Sequence, residues 1–229
     1  RSMAFSESVH DLARSNYGAE RTPSGYNFGS LKKHSIDVLL LGDSHARMLL
    51  PNFADELKKR NWRGFHPYTK KNRSNFLSIQ PGTSESFLNE WMLEIEELAK
   101  DSKAIVVSFR HTRSKDNYFY DPILRDADDA FFKNYRERIL QLAKLVPKLV
   151  IVAPFPESPQ WGPNIGRVYL QEKQALVATV EQYLDLQEKV MNVLDEVSKL
   201  SNTDVIYPHR YLSNGEGQLM SLTHLDTVN

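Results

Sequence analysis

"VLLLGDSHARMLLPNF", residues Val38–Phe53, decides how the rest of the chain is read. Four apolar residues, Val38 to Leu41, run without interruption and stop at Gly42-Asp43-Ser44-His45. Apolar residues then return at Met48, Leu49, Phe53 and Leu57, the three-and-four spacing of a helix face. The stretch therefore reads as a buried strand, a tight turn and an amphipathic helix. Pro51 is expected in the first turn or so of that helix, where a missing N–H is tolerated. The turn itself admits two meanings. It is a plain strand–helix connection with Asp43 or Ser44 as cap. Or it presents a serine hydroxyl at the sheet's edge, where the amides of the first helical turn suit a developing oxyanion.

The same alternation continues outward. "WRGFHPY" (Trp62–Tyr68), "KAIVVSFR" (Lys103–Arg110), "KLVIVAPFP" (Lys148–Pro156) and "TDVIYP" (Thr203–Pro208) read as further strands. Between them, "SESFLNEWMLEIEELAKD", "DADDAFFKNYRERILQLAKLV" and "EQYLDLQEKVMNVLDEVSKLS" carry apolar residues at helical spacing. Ser84 and Ser86 are candidate caps of the first, and the acidic start of the second suits its dipole. Residues 1–33 read as an extension packing on the domain that occupies 34–229, with Thr22–Ser30 as loop. Nearly all-apolar strands alternating with helices predict an α/β fold with a mostly parallel sheet of about five strands covered on both faces. Such sheets place functional residues just beyond the carboxyl ends of their strands. That directs attention to Gly42–His45, Ser108–Arg113 and Pro154–Glu157, and to whatever follows the last strand.

Composition excludes several classes of function. Lys plus Arg and Asp plus Glu balance at 29 each, so no global field draws nucleic acid or an anionic membrane. There is no cysteine, which removes disulfides, thiolate metal sites and cysteine nucleophiles. The remaining histidines (10, 34, 66, 111 and 209) show no metal-ligand spacing, so no metal is expected. No apolar run reaches the about 18 residues that span a bilayer.

A serine at this turn needs a base brought from far along the chain, since the adjacent His45 sits on a helix start and points elsewhere. The Gly42–His45 block after a first apolar strand resembles the opening block of the SGNH (GDSL-like) hydrolases and acyltransferases. In its "GDSHA" form it resembles the SGNH domain fused to membrane-bound acyltransferase-3 proteins that modify bacterial surface polysaccharides. "LTHLD" (Leu222–Asp226) resembles that family's closing Asp-x-x-His-Leu-Ser block, and "LARSNYG" (Leu12–Gly18) the segment joining the membrane part to the SGNH domain. The resemblance implies a three-layer α/β/α flavodoxin-like fold, Ser44 as nucleophile and His224 as general base. It further implies an O-acyltransferase, in all expectation an O-acetyltransferase, that esterifies a sugar hydroxyl of a glycan such as lipopolysaccharide O-antigen at the periplasmic face of the inner membrane. The acceptor is then a carbohydrate, the partner an acyltransferase-3 transmembrane domain of the same polypeptide, and acetyl-CoA the ultimate acyl donor through that domain, with no cofactor bound here.

The chain departs from the family pattern at two places. Ser221 stands three residues before His224, where the family has the Asp that orients the imidazole, so either Ser221, a backbone carbonyl or another acid supports His224, or the enzyme works as a weaker dyad. No Gly-x-Asn-Asp block follows the third strand, so Asn75, Gly82 and Arg110 are the candidates to complete an oxyanion site with Ser44. Trp161, in a Pro/Gly-rich loop, is a candidate wall for a sugar ring. A glycan O-acetyl esterase and a catalytically impaired glycan-binding domain remain the alternatives.

Overall fold

The computed structural model describes residues 19–68, 85–109, 129–156, 179–214 and 217, with backbone alone at 44, 85–88, 129–131 and 186. Its elements are β1 (Glu20–Thr22), β2 (Gly25–Gly29), β3 (Val38–Gly42), α1 (Ser44–Lys59), β4 (Arg63–Pro67), α2 (Glu85–Ala99), β5 (Ala104–Ser108), α3 (Asp129–Leu145), β6 (Lys148–Val152), α4 (Val180–Val197) and β7 (Thr203–Ile206). A 3-10 turn, Pro208–Arg210, follows. The strands form one sheet in the order β1-β2-β4-β3-β5-β6-β7. The five from β4 to β7 are parallel.

Two strands exceed the expected five. Thr22–Ser30, read as loop, instead supplies most of a hairpin whose second strand pairs antiparallel with β4, Gly25 opposite Pro67 and Gly29 opposite Arg63. Its Gly, Pro and Asn content disguises it, yet Tyr26 and Phe28 are buried beneath α1. Gly29 ends β2 at φ +78°, a conformation open to glycine at little cost. A Cβ there would stand 2.5 Å from the Trp62 carbonyl oxygen.

Alternation along the strands divides the core between two faces. Leu39, Leu41, Ile105, Val107, Leu149 and Ile151 meet α2, α3 and α4 on one side. Val38, Leu40, Val106 and Val152 meet α1 through Ala46, Leu50, Ala54 and Leu57 on the other. Leu39, Leu40 and Leu41 are each fully buried, a contribution of about 1.5–3 kcal/mol apiece. The α/β/α layering is the one expected.

Helix α1 starts at Ser44, so Pro51 lies in its third turn and not near its first. The Arg47 carbonyl therefore lacks its donor four residues on, a loss of about 3 kcal/mol that burial of the helix's inner face offsets. Helix α4 is fixed at its start by a reciprocal cap. The Thr179 hydroxyl accepts from the Gln182 amide at 3.1 Å, and the Gln182 side chain accepts from the Thr179 amide at 3.0 Å.

Below the strands' amino ends, Asp37 ties three elements together. Its carboxylate accepts from Lys33 Nζ at 2.7 Å, from the Arg63 amide at 2.9 Å and from Lys103 Nζ at 2.9 Å. Its carbonyl accepts from the amides of Lys103 and Ala104. Burial alone would raise the carboxyl's pKa. The bonds from Lys33, Arg63 and Lys103 outweigh it and hold the group at about 2.

Candidate active site

Strand β3 lies between β4 and β5. The chain leaves β3 for α1 on one face, whereas α3, the next helix among the described residues after β5, packs on the other face. The crevice between these two carboxyl ends is a topological switch point, the usual place for a site in an open α/β sheet. Gly42 and Ser108, the last residues of β3 and β5, are register partners there.

Gly42 has φ +155°. A Cβ on it would stand 1.9 Å from the Ser108 carbonyl oxygen and 2.5 Å from Ala46 Cβ. Only a residue without a side chain lets the first turn of α1 settle directly on the ends of β3 and β5. Asp43 then caps the helix. Its Oδ1 accepts from the His45 amide at 2.9 Å, and its carbonyl accepts from the Arg47 amide at 3.2 Å. Of the two candidate caps, Asp43 takes the role. Ser44 thereby becomes the first residue of α1, where a backbone N–H has no acceptor inside the helix.

His45 follows Ser44 as the second residue of α1. Its ring meets Phe155 edge-on, centroids 5.7 Å apart, and so reaches across the end of β5 toward the segment after β6. On the other side of β3, His66 of β4 is buried, with Nδ1 2.8 Å from the Leu40 carbonyl oxygen. A carbonyl only accepts, so Nδ1 carries the proton and Nε2 is the acceptor in the neutral ring. Burial lowers the His66 pKa, and the charge of Arg47 adds to that. The Leu40 bond and Asp43 oppose it.

Beyond β6, the Pro154 carbonyl accepts from the Tyr183 hydroxyl. Beyond β7, His209 is buried in the 3-10 turn between Tyr183 and Tyr207, at centroid distances of 5.3 and 5.9 Å. Burial lowers its pKa, with Arg210 acting in the same direction. At the same rim, the turn of the β1–β2 hairpin and Tyr68 border a shallow cleft of about 590 Å³ lined by Arg21, Thr22, Pro23 and Tyr68.

Of the residues singled out in the sequence, Ser44 stands at the head of α1 in the crevice. Asn75, Gly82, Arg110, Trp161, Ser221 and His224 lie outside the described residues. Three residues of this rim carried no role in the sequence. Ser108 ends an apolar run, and its place at the carboxyl end of that strand was its available signal. His66 and His209 give no sign of burial beyond membership of strands or strand ends. Among the described residues, no group of three or more His, Asp or Glu side chains is placed to hold a metal ion, and no helix is long and apolar enough to cross a membrane.

A family model described as "SGNH domain (fused to AT3 domains)" matches residues 11–225, nearly the whole chain. No curated protein and no solved structure matches.

Proposed function

Because the chain belongs to the family of SGNH domains fused to AT3 domains, an acyltransferase- or esterase-like fold, we propose that it is an O-acyltransferase domain that carries an acyl group on Ser44 to a sugar hydroxyl. In the first half-reaction the Ser44 hydroxyl attacks the donor's acyl carbon while His224 takes its proton. The tetrahedral intermediate collapses, and the leaving group departs with that proton. In the second, His224 takes the proton of a sugar hydroxyl as it attacks the Ser44 ester. Ser44 leaves with the proton restored. Backbone amides at the head of α1 stabilise the negative oxygen in both steps. The acyl group is acetyl, delivered ultimately from acetyl-CoA through the AT3 domain, and the acceptor is a bacterial surface polysaccharide such as O-antigen at the periplasmic face of the inner membrane.

One observation carries this reading. A glycine that no other residue replaces sets Ser44 as first residue of a 16-residue helix at the sheet's switch point. Asp43 does the capping, so Ser44 is not needed as a cap. With Ser221 where the family has an acid, His224 works without that orienting carboxylate, which favours a slow enzyme.

The test is Ser44→Ala in the full-length protein, with the O-acyl content of the cell's glycan read by mass spectrometry. Acylation is expected to fall at least about 10³-fold. Acylation at the wild-type level would overturn the nucleophile and leave a glycan-binding role. Hydrolysis of p-nitrophenyl acetate with no transfer to glycan, even alongside the membrane domain, would make the domain an esterase.

A further inference from the structure

We propose that Ser108 is a further catalytic residue: its hydroxyl is a side-chain hydrogen-bond donor held in reserve for the negative charge that forms at the head of α1. The inference rests on the reading of Ser44 as nucleophile and adds a residue to that site.

Three observations converge. Ser108 is the register partner of Gly42, and its carbonyl oxygen lies where a Gly42 side chain would begin. Along β5, Val106 belongs to the α1 face of the sheet. Ser108, two residues on, faces the same way, toward the first turn of α1 where Ala46 is fully buried. Finally, Ser108 is 1% exposed and its Oγ is buried with no hydrogen-bond partner among the described residues. A hydroxyl in that condition destabilises a fold, because it has given up water for nothing. Proteins keep few such groups, and one set beside a helix N-terminus in a switch-point crevice calls for a reason.

The surroundings limit what can supply the partner. The ends of β3 and β5 and the first turn of α1 close on one another here, with the Ser108 carbonyl oxygen and Ala46 Cβ both against Gly42. What enters this space during the reaction is the Ser44 oxygen, or the acyl oxygen bound through it. Both carry negative charge in the transition states, and a hydroxyl that is unsatisfied in the resting enzyme and satisfied at that moment binds the transition state differentially. This chain lacks the family's Asn block after its third parallel strand in sequence order. Ser108, at the end of that strand, supplies a side-chain donor from the same end of the sheet.

The experiment compares Ser108→Ala, Ser108→Thr and Ser44→Ala in the purified chain. It reads melting temperature, p-nitrophenyl acetate hydrolysis, and the rate at which a fluorophosphonate adds to Ser44, followed by intact mass. Ser108→Ala is expected to keep or raise the melting temperature, by up to about 4 °C. It should lower kcat and the fluorophosphonate rate by about 10²–10³-fold with KM little changed. Ser108→Thr, which keeps the hydroxyl, should recover part of the rate. A lowered melting temperature for Ser108→Ala with unchanged rates per folded molecule would make Ser108 structural and overturn the inference. So would full activity in Ser108→Ala while Ser44→Ala is dead. If Ser44→Ala itself stays active, the nucleophile reading fails and this inference falls with it.

Discussion

At the amino ends of the parallel strands, Asp37 is buried and receives hydrogen bonds from Lys33, Lys103 and the Arg63 amide. Nearby, the Ser102 hydroxyl donates to the Ile36 carbonyl at 3.1 Å, and Asn202 donates to the carbonyls of Ala143 and Val146. At the carboxyl ends of the same strands, Ser108 Oγ and His209 Nδ1 are buried without a hydrogen-bond partner among the described residues. Gly42 there holds a conformation open to few residues. The contrast separates two uses of buried polarity. Satisfied groups below the sheet knit β3, β4 and β5 into one body. Unsatisfied groups above it weaken the fold at the end where we propose the chemistry, as local rules are broken at functional sites and compensated elsewhere.

The largest effect should come from filling the space at the reactive end. Gly42→Ala sets a methyl group against the Ser108 carbonyl and the Ala46 side chain. Neither neighbour is the loose end of a flexible chain, so α1 must lift off the strand. We expect a loss of at least about 3 kcal/mol, read by chemical denaturation, and hydrolysis of p-nitrophenyl acetate reduced beyond what the unfolded fraction explains. A variant that folds and turns over like the parent would remove the basis for placing the site at this turn.

Asp37→Asn probes the other end and should separate stability from activity. Removing the charge forfeits the difference between the carboxyl's folded pKa of about 2 and its ordinary 3.8, which corresponds to about 2 kcal/mol. The folded value is the lower one, so this stabilisation is present above about pH 4 and is lost as the pH falls through 2. Denaturation curves should show that acid limb in the parent and not in the variant. Turnover per folded molecule at pH 7 should be equal in both. Lost turnover without lost stability would mean that the two ends are not divided as described.

The same division explains what was legible in the sequence. The β3 run and the turn after it were readable, because four apolar residues followed by Gly-Asp admit few alternatives. The order of strands and helices followed from periodicity for the same reason. Strands β1 and β2 were not readable. Glycine and asparagine favour turns in isolation, and the pairing with β4 that overrides them involves residues some 40 positions away. Asp43 and Ser44 were both candidate caps, and only coordinates show which amide is bonded. Pro51 was placed too early because the helix start was set by its first apolar residues and not by its cap. Ser108 lay in a stretch singled out at the end of its strand, but the role there went to Arg110. Its significance lies in a missing partner, and no sequence displays that.

A finer test of the two ends uses mild acid. His66 is neutral and buried, and its pKa lies below the ordinary 6.5 through burial first and the charge of Arg47 second. As the pH drops under 6.5 the unfolded chain takes up a proton before the folded one does. Stability is therefore whole above 6.5, declines until the lowered folded pKa is passed, and then levels off. Protonation leaves the Nδ1 bond to Leu40 in place, because that nitrogen already carries its hydrogen, so the decline is gradual and not a collapse. The melting temperature of the parent should fall between pH 7 and pH 5, and His66→Gln should flatten part of that slope. His209, whose pKa is lowered in the same sense, should account for a further part, removed in the double variant. The acid limb of Asp37, below pH 4, should survive both changes. If the histidine substitutions erased that lower limb as well, or if Asp37→Asn flattened the slope near neutrality, the ends of the sheet would be coupled through β3, and a proton at one end would be felt at the other.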